Sequence, residues 1–244
     1  MSLGLLSLIV LGLAGLGFFV GRSRALAVVG GDGRRLHSLP SYHGQSVALF
    51  AALPAFFVFG VWLFVQPILI EGSISGTIPD SVIPEGGARS LVMGDVRRIA
   101  DGLDVLVQSG SLTEAAITAL STETTDIRAL LAEGGVALGS DVPQPVLAAA
   151  TEYRAMNGTG RWAMTGLVLV LAVLGLVLSL RRITPDLRAR NISEAFVKAL
   201  LIGASLVAIL TTVGIVFSLM FETINFFKMY PAKDFFFSTV WNPQ

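Results

Sequence analysis

Cysteine is absent from the 244-residue chain, and charged residues are scarce. The lack of cysteine excludes disulfides, thiolate metal sites and cysteine nucleophiles. Aspartate, glutamate, lysine and arginine together make up 14% of the residues, whereas a soluble domain carries about 25%. Hydrophobic residues account for 53% of the chain, and the mean hydropathy is +0.74. This composition predicts a membrane protein.

The sequence also has few of the groups that catalysis and ligand binding use. Its formal net charge is zero, so no overall field favours nucleic acid as a partner. The two histidines, His37 and His43, have no third ligand nearby, and we interpret them as ordinary loop residues. The glycine-rich segment 30–33 lacks the Lys-Ser/Thr of a phosphate loop, so it predicts a turn. We therefore expect no enzyme, no cofactor and no catalytic, cofactor-binding or metal-binding residues, while substrate-contacting residues stay unknown.

Four stretches without a charged residue are long enough, or nearly so, to cross a bilayer, which takes about 20 residues of helix. They are residues 2–21, 44–70, 162–180 and 199–221. Because none has an ionisable residue in its middle, the usual mark of an intramembrane proton relay is missing. The sequence predicts an all-α membrane protein with four transmembrane helices and a small helical periplasmic domain between helices 2 and 3.

The loops between these stretches differ in charge. Both short loops are rich in arginine, whereas the long segment 71–161 holds 12 acidic residues and six arginines. Since lysine and arginine in short loops stay on the cytoplasmic side, both short loops are predicted to be cytoplasmic. The long segment and both termini are then periplasmic. The residues that set this topology are Arg22, Arg24, Arg34, Arg35, Arg181, Arg182, Arg188 and Arg190.

The long segment has the periodicity of short helices. Apolar residues recur at helical spacing in its first half: Val92, Val96, Ile99, Leu103 and Leu106. Residues 111–114 form a Ser-x-x-Glu capping box that should start a second helix, which ends near Gly134-Gly135. A third helix is predicted from Pro143 to Met156, ended by Asn157-Gly158. We interpret the carboxylates as a solvated surface, since no calcium-loop pattern is present.

These observations divide the chain into four parts. Residues 1–70 form a two-helix membrane hairpin around a basic cytoplasmic loop, and residues 71–161 form the periplasmic helical domain. Residues 162–198 comprise the third transmembrane helix and the second cytoplasmic loop. Residues 199–244 comprise the last helix and an aromatic tail. The rings of that tail are expected at the membrane interface and in packing contacts: Phe226, Phe227, Phe235, Phe236, Phe237 and Trp241.

The last part carries motifs of a known family. Residues 216–222 read Val-Phe-Ser-Leu-Met-Phe-Glu, followed by Phe-Phe at 226–227, Asp-Phe-Phe-Phe at 234–237 and Trp-Asn-Pro at 241–243. This run resembles the first core helix and the following periplasmic segment of phosphate ABC transporter permeases of the PstC type. Upstream, Leu-His-Ser-Leu-Pro-Ser-Tyr-His-Gly at 36–44 resembles the N-terminal extension of longer bacterial members.

The resemblance implies a membrane-spanning permease subunit, or the N-terminal part of one, of an ATP-driven importer of inorganic phosphate. It implies an inner-membrane location and three kinds of partner: a second permease subunit, cytoplasmic ATPase subunits and a periplasmic phosphate-binding protein. Members of the family continue beyond the Trp-Asn-Pro segment with helices that carry an ATPase-coupling motif. Glu194-Ala195-Phe196 does not match that motif. We therefore expect a fragment, a split-gene half or a truncated product, whose role is anchoring and assembly.

A second interpretation remains open from the residues alone. A periplasmic helical segment between two membrane spans is also typical of a membrane sensor or accessory protein. The longest cytoplasmic stretch is about 22 residues, which is too short for an output domain of its own. Such a protein would therefore act through a partner.

Overall fold

The chain is built from long helices and a few short ones. A computed structural model describes residues 1–83, 88–122, 126–138 and 141–237, and these contain no strand. Two short 3₁₀ turns, Gly33–Arg35 and Asp80–Val82, lie in the connections. The described helices are α1 (Leu3–Val28), α2 (Pro40–Thr77), α3 (Arg89–Gln108), α4 (Glu114–Thr118), α5 (Ile127–Glu133), α6 (Gln144–Arg181), α7 (Ala189–Met229) and α8 (Ala232–Phe237).

Four of these helices, α1, α2, α6 and α7, are long and apolar enough to cross a membrane. The predicted all-α class and the four candidate spans are thus confirmed. All four are longer than the uncharged stretches that predicted them: α1 has 26 residues, α2 and α6 have 38 each, and α7 has 41. At about 1.5 Å per residue, each exceeds the bilayer core of about 30 Å. Each therefore extends beyond the hydrocarbon region.

Glycines let α1 and α2 pack closely in antiparallel orientation. A methyl group on Gly21 would lie 2.8 Å from Cγ2 of Val47, and one on Gly44 would lie 2.5 Å from the carbonyl oxygen of Phe18. Gly17 is likewise buried against Val47. Small residues at such positions allow helix backbones to approach in a membrane, where packing replaces the hydrophobic effect. These glycines set the distance between the first two helices.

The α2–α6 pair is also antiparallel, and glycines lie near both ends of their contact. A methyl group on Gly175 would overlap the backbone carbonyl of Phe50. Fifteen residues earlier in α6, Gly160 faces the amide of Gln66, which donates to Oδ1 of Asn157 at 2.8 Å. Helix α1 completes the three-helix bundle. Its core combines side chains from all three helices: Leu6, Val10, Ala55, Met164, Val168 and Ala172.

A separate core lies at the far end of α2 and α6. Helices α3–α5 pack there against Ile70 and Ile74 of α2 and Leu147 and Ala150 of α6. We call this body, α3–α5 with the adjoining ends of α2 and α6, the helical domain. The periodicity that predicted α3 is confirmed, because its five apolar residues are all buried: Val92, Val96, Ile99, Leu103 and Leu106. The predicted helix end at Gly134-Gly135 is also confirmed, since Gly134 is the C-cap and Gly135 has φ +79.

The second helix, predicted to run from the capping box to Gly134-Gly135, is instead divided into α4 and α5, with residues 119–122 outside both. Two further local predictions in the helical domain are wrong. The third helix does not end at Asn157-Gly158, because α6 continues to Arg181. The side chain of Asn157 contacts Gln66 there instead of capping a helix end. The capping box is also absent: Thr113 is the N-cap and accepts from the backbone of Ala116, while Glu114 pairs with an arginine of α6. In both cases a tertiary contact replaces the local one.

Candidate functional site

The helical domain is fastened to the long helices by ion pairs. Arg154 of α6 donates from Nε to Asp104 at 2.6 Å and from both terminal nitrogens to the carboxylate of Glu114 at 2.6 Å. The Arg154 side chain is only 15% exposed. Its hydrogen bonds hold the pKa of Glu114 below the usual 4.5. Arg161 reaches the second oxygen of Asp104 at 3.5 Å. This network joins α3, α4 and α6.

A second arginine closes the end of α2. Arg89 donates to the carbonyl oxygens of Ser75 and Ile78, and it pairs with Asp80. The last carbonyls of a helix have no partner within the helix, so a basic side chain there satisfies them and complements the helix dipole. Arg89 thereby ties the start of α3 to the end of α2, so the domain is held to both helices that carry it.

The helical domain is poorly suited to bind phosphate directly. A recess of about 230 Å³ lies between α3 and the start of α6. Its charged lining residues in the described part of the chain are Asp95 and Asp141, and its other described lining residues are apolar. A cleft with acidic groups repels an anion. No group of three or more histidine, aspartate or glutamate side chains that could hold a metal ion comes together in the described residues.

The two basic loops meet at the opposite end of the bundle. The backbone N–H of His37 donates to the carbonyl oxygen of Pro185 at 2.9 Å, and that of Arg190 donates to Oγ of Ser38 at 3.3 Å. The eight arginines predicted to set the topology are all exposed. Among them, within the described ranges, only Arg190 forms an ion pair, with Glu194 at 2.6 Å. We call these eight residues the basic face; their role in topology stays a prediction.

One predicted loop residue, His43, is instead buried inside the structure. It lies in the first turn of α2 and is fully buried, whereas His37 remains in the exposed loop. Neither ring nitrogen of His43 has a hydrogen-bond partner of normal geometry among the described residues, although the Ser38 backbone lies near enough to interact. Ser193 at the start of α7 is also buried, and its hydroxyl is likewise unpaired there. Both lie near the place where α7 leaves the bundle.

Beyond that place, α7 has almost no contact with the rest of the chain. The rings of Phe50 and Phe196 meet edge to face at 4.9 Å, so α7 starts beside α2 and runs in the same direction. Only Ala189 and Ser193 are buried among its 41 residues. A helix that is apolar on every side is normally buried in protein or lipid. The apolar surface of α7 is therefore available for lipid or for another membrane helix.

The aromatic tail forms a cluster of its own. Helix α8 turns back after Pro231 so that Phe235 meets Phe226 at 5.2 Å and Phe227 at 5.8 Å. Phe236 stacks on Phe227 at 6.1 Å, while Phe237 is 81% exposed. The rings thus pack on one another but stay largely uncovered. Trp241, which was predicted to join them, lies outside the described residues.

Several features of this arrangement escaped prediction. The pair Gly17 and Gly21 had a detectable signal, since small residues four apart favour close helix packing. Gly160 and Gly175 had no such signal, because only the register of α2 against α6 shows what they face. The contact of Gln66 with Asn157 spans 91 residues of sequence and could not be predicted from local pattern.

Comparison with known proteins identifies the region that carries the bundle and the helical domain. Residues 5–177 match the model of a family described as a phosphate ATP-binding cassette transporter. The match covers α1 to α5 and most of α6, and it excludes α7 and the aromatic tail. No curated protein and no solved structure matches the chain. Because the matched residues make up more than two thirds of the sequence, the chain belongs to this family of phosphate ABC transporter proteins.

Proposed function

We propose that this chain is a permease subunit, or the N-terminal part of one, of an ATP-driven importer of inorganic phosphate of the PstC type. Its contribution is membrane anchoring and assembly. The observation that carries the proposal is the contrast between a self-contained bundle and α7, whose apolar surface is left uncovered along most of 41 residues. Such a helix supports a role in joining the chain to other membrane helices.

The partners follow from this role. A second permease subunit would contact α7, cytoplasmic ATPase subunits would lie on the side of the basic face, and a periplasmic phosphate-binding protein would lie on the side of the helical domain. The recess beside Asp95 argues against phosphate binding by that domain itself. A contact with a protein partner fits its acidic surface better.

Phosphate uptake in the native host tests the proposal. Deletion of the gene should abolish uptake of radiolabelled phosphate at low external concentration and leave sulfate uptake unchanged. A tagged chain purified from mild detergent should retain a permease partner and ATPase subunits. Unchanged phosphate uptake in the deletion strain, with no ATPase on the tagged chain, would contradict the proposal.

The location is proposed to be the bacterial inner membrane, with both termini and the helical domain in the periplasm. The structure supports this with both basic loops at one end of the bundle and the helical domain at the other. Because the chain has no cysteine, single cysteines report on sidedness without background. A membrane-impermeant maleimide should label Ser109→Cys in intact spheroplasts and should label Ser23→Cys only after lysis. The reverse pattern would show the opposite topology.

One observation favours the alternative of a sensor or accessory protein. Helices α2 and α6 run without a break from the helical domain to the basic loops, so a movement of the domain would reach the other side of the membrane. Thr77 and the start of α6 are neighbours in the α2–α6 register, so a short glycine–serine linker can replace residues 79–142. If this variant imports phosphate normally but loses a host response to phosphate starvation, the sensor role is supported. Loss of uptake with the partners still bound supports the transport role.

A further inference from the structure

Two pairs of arginines lie at about the same level where α1 and α6 leave the bilayer. These helices run parallel: a methyl group on Gly17 would lie 3.4 Å from Leu176, and α1 and α6 side chains share one core in matching order. Arg22 lies five residues after Gly17, and Arg181 lies five residues after Leu176. Equal steps along parallel helices bring these arginines to the same level. Arg24 lies two residues after Arg22, and Arg182 comes directly after Arg181.

No carboxylate neutralises this group of four arginines. Arg22, Arg24, Arg181 and Arg182 are exposed, and none forms an ion pair within the described residues. Three acids lie in the neighbouring loops. Asp32 accepts from the backbone of Arg34, Glu194 pairs with Arg190, and Asp186 is exposed in the α6–α7 loop. The four guanidinium groups are therefore free to bind an external anion.

The depth of the four arginines in the membrane indicates which kind of anion they bind. The uncharged runs end at Gly21 in α1 and at Leu180 in α6, so the four arginines lie at the level of the lipid headgroups. Large apolar side chains on both helices are exposed immediately on the bilayer side: Leu16, Phe19, Val173 and Val177. A ligand here would place a charged group among the arginines and apolar chains along the helices. Inorganic phosphate has only the first of these parts.

We propose that Arg22, Arg24, Arg181 and Arg182 form a binding site for an anionic phospholipid, with preference for a lipid that carries two phosphates. Arginine suits this ligand because its planar guanidinium donates two parallel hydrogen bonds to phosphate oxygens. Basic sites between transmembrane helices on the cytoplasmic side bind such headgroups. The inference rests on helices that cross the bilayer and is independent of phosphate transport.

Binding of defined lipids to the purified chain in detergent tests the proposal. Cardiolipin should bind more tightly than phosphatidylglycerol, and phosphatidylcholine should bind least, as measured by native mass spectrometry and by the shift in Tm. The variant Arg22→Gln/Arg181→Gln should bind cardiolipin about 25-fold more weakly, since each arginine near an anionic lipid contributes about fivefold. The charge-keeping variant Arg22→Lys/Arg181→Lys should lie between this variant and the original chain. Folded protein is verified by size-exclusion chromatography.

A matched control removes two charges elsewhere. Arg98→Gln/Arg128→Gln changes two exposed arginines of the helical domain and should leave cardiolipin affinity within twofold of the original. Equal loss in both double variants, or equal binding of phosphatidylcholine, would overturn the proposal. Displacement of the lipid by millimolar inorganic phosphate would indicate a soluble-phosphate site instead. Unchanged lipid binding with loss of the ATPase subunits would show a protein interface, and the proposal would fail.

Discussion

The bundle, which carries the helical domain, and the helix α7 both have highly apolar long helices, but only those of the bundle pack extensively against one another. In α1, α2 and α6, an apolar window of 18 residues has a mean hydropathy of 2.3–2.6, and the corresponding window of α7 has 2.5. The first three helices contribute to shared cores, whereas none of the apolar window of α7 is buried. Hydropathy therefore tells which helices enter a membrane but not which ones pack together. The placement of small residues against a partner decides that.

The largest expected difference in stability between the two regions comes from replacing a leucine by alanine in each. Leu103→Ala removes a fully buried side chain from the helical domain and should lower the free energy of unfolding by about 4 kcal/mol. Leu206→Ala removes a side chain of α7 that is 55% exposed and should change it by less than about 0.5 kcal/mol. Denaturant titration of the detergent-solubilised chain measures both. Equal losses would mean that α7 is packed within the chain after all.

Replacing a glycine by alanine should change stability in different ways in the two regions. Gly175→Ala forces a methyl group into the backbone of Phe50 and should destabilise the bundle by about 3 kcal/mol. Gly203→Ala in α7 meets nothing within 4 Å and should be neutral or stabilising, since alanine favours helix by about 1 kcal/mol. Gly166→Ala is the control on α6 itself, because its position is also open. A tolerated Gly175→Ala would disprove the close α2–α6 contact.

The attachment of the helical domain should depend on one arginine. Arg154→Met keeps the length of the side chain but removes the partner of Glu114 and leaves Asp104 with Arg161 alone, and it should cost about 2 kcal/mol. Arg98→Met loses only a 3.8 Å contact on the surface and should cost less than about 0.5 kcal/mol. Hydrogen exchange should show faster opening of α3 and α4 in Arg154→Met, with α7 unchanged. Similar exchange in both variants would contradict the network.

The smallest effect concerns the pH dependence of the same contact. Because the pKa of Glu114 is lowered by its hydrogen bonds with Arg154, the stabilisation is complete above pH 4.5. It is lost as the pH falls through the lowered pKa. The Tm difference between the original chain and Glu114→Gln should be constant at neutral pH and should shrink in acid. Glu133→Gln, at an exposed carboxylate on α5, serves as the control and should show no such change. A difference independent of pH would contradict this prediction.

Helices whose formation depends mainly on nearby residues were predicted from the sequence. The uncharged runs predicted four long helices, and the spacing of apolar residues predicted α3. Asn157-Gly158 read as a helix end because that pair favours turns, but the contact with Gln66 keeps α6 continuous. His43 was predicted to be a loop residue, but it lies in α2 and is fully buried. Arg22 and Arg181 were each predicted to be cytoplasmic, and only the parallel packing of α1 and α6 places them at the same level.

The unbroken course of α6 also determines how far the helical domain can reach. Its 18 residues before Trp162 form a stiff rod of about 27 Å at 1.5 Å per residue, and α2 runs alongside this rod. A protein captured by the domain would be tethered above one patch of membrane and could not drift away along a flexible linker. Short tethers of this kind correspond to local concentrations in the millimolar range. A weak contact with the domain would then suffice to keep a bound protein close to the membrane.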